Sequence, residues 1–217
     1  MNSDAPLRLA IFDCDGTLIR EKTVCDLIAA QIGKSERMDW LEQNAGAQTA
    51  IGSSSRNPTV IEAREEMAGW YFDSGRTAVE SFLPSVVWAK GVHDGIKSLV
   101  EAGFLVAISS MTWKFGVGII ASDLGINEFT GTDLDWDSGE ITHVFPEEKA
   151  EFLEHLVEKY EIPSDRVFAV GDSGGDAEML KAAGRGFFVG TNDPEIAGII
   201  HLPDAGIDTI AQRIIHN

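Results

Sequence analysis

The chain is poor in cysteine: it has two, Cys14 and Cys25, and they form no CxxC pair. That argues against a disulfide framework and against a zinc site, and makes two packed thiols the expectation. It is also poor in positive charge, with 17 lysines and arginines against 35 aspartates and glutamates and a net charge of −18. A phosphate backbone or an anionic bilayer would be repelled, so neither nucleic acid nor a membrane is expected as a partner. An anionic ligand would need a cation or a local basic cluster to hold it. Long hydrophobic runs are missing too: the clearly apolar stretches, such as Phe104–Ile108, are far too short to cross a bilayer. The N-terminus MNSDAPLRLAIFD has no basic region followed by a long apolar run. A signal peptide is therefore not expected, and a cytoplasmic location is. There is no internal repeat, no low-complexity run beyond Gly52–Ser55, and nothing that specifies an oligomeric state.

What is present is an ordinary globular mixture, 44% hydrophobic and 24% charged over 217 residues. Short, nearly continuous apolar runs recur at Leu7–Phe12, Phe104–Ile108, Val167–Val170 and Phe187–Val189. Such runs read as strands buried on both faces of a parallel sheet. Amphipathic helices are expected between them: Val92–Ala102, stopped by Gly103; Glu147–Tyr160, opened by Pro146; and Asp176–Ala183, with Gly184 as its C′ residue. The alternation predicts an α/β fold with a doubly wound parallel sheet. Thr130–Leu134 and Ile141–Val144 flank Asp137-Ser138-Gly139 and predict a small hairpin.

One interval breaks the rhythm. Between Asp13 and Val92 there is no convincing strand pattern, whereas a strand-to-helix connection is normally a few residues long. The segment 20–89 therefore reads as an inserted helical subdomain, with 1–19 and 90–217 forming the core. Helices are expected within it over Val24–Ile32, Val60–Phe72 and Thr77–Leu83, and Ala45–Pro58 is expected to be a loop.

In an open α/β sheet, ligands bind outside the carboxyl ends of the strands. Four polar clusters fall there: Asp13-Cys14-Asp15-Gly16-Thr17, Ser109-Ser110-Met111-Thr112, Lys149, and Gly171-Asp172-Ser173-Gly174-Gly175-Asp176. Singly, each has an ordinary use. Asp13, Asp15, Asp176 and Ser110 could serve turns or caps, and Lys149 could be a solvated charge. Together, the carboxylates repel one another unless a divalent cation lies among them, and oxygen-only ligation suits Mg²⁺. A metal, a hydroxyl, a lysine and a free carboxylate suffice for phosphoryl transfer.

These residues resemble the four motifs of the haloacid dehalogenase superfamily: Asp13-Cys14-Asp15-Gly16-Thr17-Leu18, then Ser110, Lys149 and Gly171-Asp172-x-x-x-Asp176. The finer resemblance is to the phosphoserine-phosphatase-like branch. Its marks are the insert directly after the first motif, which implies a helical C1-type cap, the segment Val106-Ala107-Ile108-Ser109-Ser110, and Leu124-Gly125-Ile126. The resemblance implies Asp13 as a nucleophile forming an aspartyl-phosphate and Asp15 as general acid and base. It implies Ser110 and Lys149 as phosphate ligands. Mg²⁺ would be bound by Asp13, Asp172 and the Asp15 carbonyl, with Asp176 supporting that shell and orienting Lys149.

The chain departs from the branch in three places. Met111-Thr112-Trp113 replaces Gly-Gly-Phe, so Met111 and Thr112 reshape the substrate position. Gly175 replaces an asparagine. Lys22, with Glu21 adjacent, falls near the glutamate that grips the amino group of phosphoserine, and a lysine would repel an ammonium. In the insert, Arg56, Arg64 and Arg76 are each able to meet a carboxylate or a second phosphate, with Arg64 the preferred candidate. Trp70-Tyr71-Phe72 is a candidate lining for the pocket. The expected function is a Mg²⁺-dependent phosphatase acting on a small anionic phosphorylated metabolite. The alternatives are a phosphomutase or phosphotransferase using the same aspartyl-phosphate, and a non-catalytic binding protein of the same fold.

Overall fold

The computed structural model describes residues 7–45, 56–203 and 205–217. Strand β1 (Arg8–Phe12) is the centre of the core. Leu9 and Ile11 enter one apolar cluster, Ala10 and Phe12 the other, and all four are fully buried. A strand with both faces apolar needs cover on both sides, and helices supply it. Helices α5 (Val92–Glu101), α6 (Lys114–Leu124) and α9 (Ile207–Ile215) contribute Ile96, Ile120 and Ile210 to the cluster of Phe12. Helices α7 (Pro146–Lys159) and α8 (Ala177–Ala182) contribute Leu153, Leu156 and Leu180 to that of Ile11.

The main sheet runs β6-β5-β4-β1-β7-β8-β9. Its members are β4 (Phe104–Trp113), β5 (Glu128–Leu134), β6 (Ile141–Thr142), β7 (Val167–Gly171), β8 (Arg185–Phe188) and β9 (Ile200–His201). All pairings are parallel except β5 with β6, the expected hairpin. Phe12 lies between Ile108 of β4 and Val170 of β7, so the chain leaves β1 to build the sheet in both directions. That makes the carboxyl end of β1 the switch point where a ligand crevice opens.

The insert leaves and re-enters the core through a two-stranded antiparallel ribbon, β2 (Ile19–Arg20) against β3 (Val87–Trp88). Between them lie α1 (Val24–Gln31), α2 (Ser35–Ala45), α3 (Pro58–Ser74) and the single turn α4 (Arg76–Val79). Thr23 and Asp26 cap α1 reciprocally, and Asn57 caps α3 ahead of Pro58. Tyr71 of α3 packs edge-on against Trp113, with ring centroids 5.3 Å apart. No described helix is long and apolar enough to cross a membrane.

The structure departs from the sequence-based expectation in several places. β4 runs through Trp113 rather than ending at Ile108, because its polar residues still pair with β5. The helix expected over Thr77–Leu83 is the turn α4 followed by a 3₁₀ turn at Leu83–Ser85. Gly75, with φ of 80°, redirects the chain before it, and Pro84 offers no N–H to prolong it. Asp176–Ala183 divides into a 3₁₀ turn, Gly174–Asp176, and α8. Gly184 does not cap α8 in a left-handed conformation. It is small because a Cβ there would lie 2.0 Å from the Ser164 carbonyl oxygen. The loop expected over Ala45–Pro58 lies largely outside the described residues, as does Gly52–Ser55, and Pro58 already opens α3.

Candidate active site

Asp13 follows β1 directly, and its N–H continues the ladder to the Val170 carbonyl at 2.9 Å. Its carboxylate therefore stands at the switch point, 6% exposed. Lys149, in the first turn of α7, is 1% exposed and reaches the same place. Its Nζ donates to Asp13 Oδ1 at 2.7 Å and to Asp176 Oδ1. Burial alone would lower the lysine pKa; the Asp13 and Asp176 carboxylates outweigh it and hold the ammonium above its ordinary value. The second Asp176 oxygen accepts from the N–H groups of Asp172 and Ser173, both at 2.9 Å, and from the Ser173 hydroxyl at 3.2 Å. Asp176 thus fastens the lysine with one oxygen and the loop after β7 with the other.

Asp13, Asp172 and Asp176 each bring a carboxylate oxygen within 4.8 Å of the others. Burial raises the Asp13 carboxyl well above the usual range; Lys149 opposes this and Asp176 and Asp172 add to it. Asp172 is pushed up to about 6, by burial first and by Asp176 second. The Thr17 hydroxyl, donating to Asp172 Oδ1 at 2.8 Å, pulls the other way. One ammonium does not balance this charge, and the donor set is all oxygen, which fits a hard divalent cation. Space is kept as well: Gly16 has φ of 80°, and a Cβ on it would lie 2.2 Å from Asp172 Oδ2. A side chain there would fill the cradle against Asp172.

Asp15 faces the insert rather than this group. Its Oδ1 accepts from the N–H of Val24, the first residue of α1, at 2.8 Å. Burial pushes its pKa up to about 7, while the Val24 N–H and the Thr112 hydroxyl, which also bonds the carboxylate, pull it down. A carboxyl poised near neutrality can give a proton in one step and take one in the next. The Thr112 hydroxyl also lies 3.4 Å from Cys25 Sγ.

Ser110, Met111 and Thr112 sit in a bulge. Ser109 faces Thr130 and Trp113 faces Thr132, so the register slips between them. Bulges re-aim side chains next to sites of this kind. Gly131 makes room, since a Cβ there would lie 2.7 Å from the Thr112 carbonyl oxygen. The Ser110 hydroxyl, 2% exposed, accepts from the Thr112 N–H at 3.3 Å. The Met111 carbonyl accepts from Thr132 Oγ1 at 2.9 Å and from Arg64 Nη2 at 2.8 Å. The same Nη2 donates to the Val144 carbonyl at 2.9 Å, and the guanidinium lies 4.8 Å from the centroid of the Phe145 ring. Burial lowers the Arg64 pKa to about 10. Arg64, a substrate-binding candidate from sequence, is thus placed beside the site with Nη2 committed to main-chain carbonyls.

Lys22 is not brought to the carboxylate group. It is exposed and lines a separate cavity of 240 Å³ with Glu21, Asp26, Ser35, Asp39 and Glu42. Arg20, not Lys22, lines the 420 Å³ cavity that includes Asp172, Ser173, Gly190 and Asn192. Three contributors escaped the sequence reading. Ser173 carries the readable signal of a residue three before an acid at a helix start, and Thr17 lies inside the first motif. Thr132 has no such signal, because only the β4–β5 register brings it to Met111.

Residues 10–181 match the family described as haloacid dehalogenase-like hydrolase. The chain belongs to that family. Two curated relatives are phosphoserine phosphatases. That of Archaeoglobus fulgidus is 28% identical over 82% of this chain and 51% of its own length. That of Methanocaldococcus jannaschii is 26% identical over 82% of each. The chain therefore spans about half of the first relative and most of the second. Among solved structures, this haloacid dehalogenase-like chain is similar to a phospho-aspartyl intermediate analogue of phosphoserine phosphatase. That likeness has a TM-score of 0.77 and 22% identity, covering 96% of this chain and 99% of the other. A substrate-bound phosphoserine phosphatase complex gives a TM-score of 0.77 at 21% identity, covering 97% and 99%. At these identities the likeness carries the fold.

Proposed function

We propose that this chain is a Mg²⁺-dependent phosphatase that hydrolyses a small anionic phosphomonoester through a phosphorylated Asp13. The observation that carries this reading is the buried Asp13–Lys149–Asp176 chain at the end of β1, beside the Asp13–Asp172–Asp176 group. Asp13 attacks phosphorus through a carboxylate oxygen, and the bond from phosphorus to the ester oxygen breaks. Asp15 gives its proton to that oxygen, then takes one from the water that frees Asp13 and releases phosphate. Lys149 balances negative charge on Asp13 and the phosphoryl group, and the Ser110 hydroxyl donates to a phosphoryl oxygen. Mg²⁺, held by Asp13, Asp172 and the Asp15 carbonyl with Asp176 behind them, would offset the charge that gathers on the phosphoryl oxygens. The insert over 20–89 acts as a cap, its ends tied by the β2–β3 ribbon, and supplies the Val24 N–H that steadies Asp15.

The names of the relatives support a phosphomonoester as substrate. The leaving group we assign is one with a further anion rather than an ammonium. Arg20 lines the cavity beside Asp172, where a guanidinium favours an anion over an ammonium. A transferase would run the same first half with a sugar hydroxyl in place of water. A non-catalytic relative would be free to lose Asp13 or Lys149, and this chain keeps both. The test is phosphate release from a panel containing phosphoserine, dicarboxylate phosphates and sugar phosphates, with Mg²⁺ and with EDTA. Release should require Mg²⁺ and favour the doubly anionic esters over phosphoserine. Asp13→Asn should cost on the order of 10³-fold or more. Activity within tenfold of the parent would remove Asp13 from the role.

A further inference from the structure

β1 lies between β4 and β7, and Asp13 stands at its carboxyl end. Met111 projects from the bulge of β4, and Gly175 lies just beyond β7. The two touch: a Cβ on Gly175 would lie 2.6 Å from Met111 Cε and 3.5 Å from Sδ. The thioether therefore occupies the place where a side chain at 175 would go, and to reach it the Met111 chain crosses from the end of β4 past the end of β1. Its root is fixed, because the Met111 carbonyl is held by Thr132 and Arg64. Its tip ends against Gly175, on an unbranched and adaptable chain. An unbranched apolar chain in this position cannot hold an anion, so its effect on a phosphate ester is steric.

The geometry points to Met111 as the residue that selects the ester, admitting phosphate on a primary carbon and rejecting phosphate on a branched, secondary one. This rests on the phosphatase reading above. Phosphorus must reach Asp13 beneath the thioether, so the first carbon of the leaving group passes beside it. A second substituent on that carbon has to displace the Met111 tip. One extra carbon against an apolar wall is worth about 10–200-fold in discrimination.

Glycerol 3-phosphate and glycerol 2-phosphate test this, being isomers of equal charge that differ in whether the ester carbon is primary. With Mg²⁺, the parent should favour the 3-phosphate in kcat/KM by about tenfold or more. Met111→Ala should bring the ratio to about threefold or below, and Met111→Leu, which refills the space, should keep it high. Gly175→Ala would push the Met111 tip off its seat, so it should change the ratio in the parent and not in the Met111→Ala background. Circular dichroism of each variant checks the fold. The inference is overturned if the parent does not distinguish the isomers, if Met111→Ala keeps the parent ratio, or if Gly175→Ala acts alike in both backgrounds. It also falls if the parent hydrolyses p-nitrophenyl phosphate but neither isomer. Failure on all three esters and on the anionic panel above would instead overturn the phosphatase reading itself.

Discussion

Lys149 has almost no contact with water and is held between Asp13 and Asp176. Removing one partner from a buried ion pair strands the other charge, at a cost of about 3–5 kcal/mol. Lys149→Met, similar in length and uncharged, should therefore lower the urea midpoint strongly in chelator. Mg²⁺ should restore part of the loss, because a second cation would then face the carboxylates. Turnover should stay lost in either case. An unchanged midpoint in chelator would show that the ammonium is not what keeps the carboxylates together. This residue and its partners could be read from the sequence, since each follows a strand or opens a helix at a spacing that places it at one sheet edge. The contact of Met111 with Gly175 could not, because nothing along the chain says that β1 lies between their strands.

The bulged end of β4 and helix α3 of the insert meet through Tyr71 on Trp113 and through Arg64, whose Nη2 serves the Met111 and Val144 carbonyls together. A lysine keeps the charge but cannot reproduce the planar fork. Arg64→Lys would leave the buried Val144 carbonyl unpaired, while Met111 would keep Thr132. The expected loss of stability is about 1–3 kcal/mol, with kcat/KM falling for all esters alike. If Arg64 instead holds a substrate carboxylate, thermal stability should stay put and KM should rise for carboxylate-bearing esters alone, an outcome that would return it to substrate binding. Strands β1, β7 and β8 and helices α5 and α7 were legible because buried parallel strands are continuous apolar runs and such helices keep a 3.6-residue period, whereas α2, α6 and α9 were not read from the sequence. The far half of β4 was not, because Ser109, Ser110 and Thr112 look like loop residues and are strand only through pairing with β5.

The whole molecule is acidic, −18 net, and among the described residues Asp13, Asp172 and Asp176 gather their carboxylates at the sheet edge. Without metal, Asp13 is raised well above the usual carboxyl range, Asp172 stands at about 6 and Asp15 at about 7. In the unfolded chain such groups titrate near about 4. Between about pH 4 and 7 Asp172 and Asp15 therefore hold more proton in the folded chain than in the unfolded one, and they withdraw stability as the pH rises. Other carboxylates act the opposite way: Glu66, bonded by Arg37, and Glu128, bonded by Lys159, are lowered, and their stabilisation is lost only as the pH falls. Absolute stability against pH mixes the two sets, so the quantity to measure is the gain on adding Mg²⁺. A cation must displace the proton on Asp172 at pH 5 and meets an ionised Asp172 at pH 7.5. The Mg²⁺-induced rise in Tm at fixed ion concentration should accordingly be larger at pH 7.5 than at pH 5. Asp172→Asn should flatten that difference, while Glu66→Gln, far from the carboxylate group in role and exposure, should leave it intact. An equal rise at both pH values in the parent would mean that the cation does not bind where these protons are held.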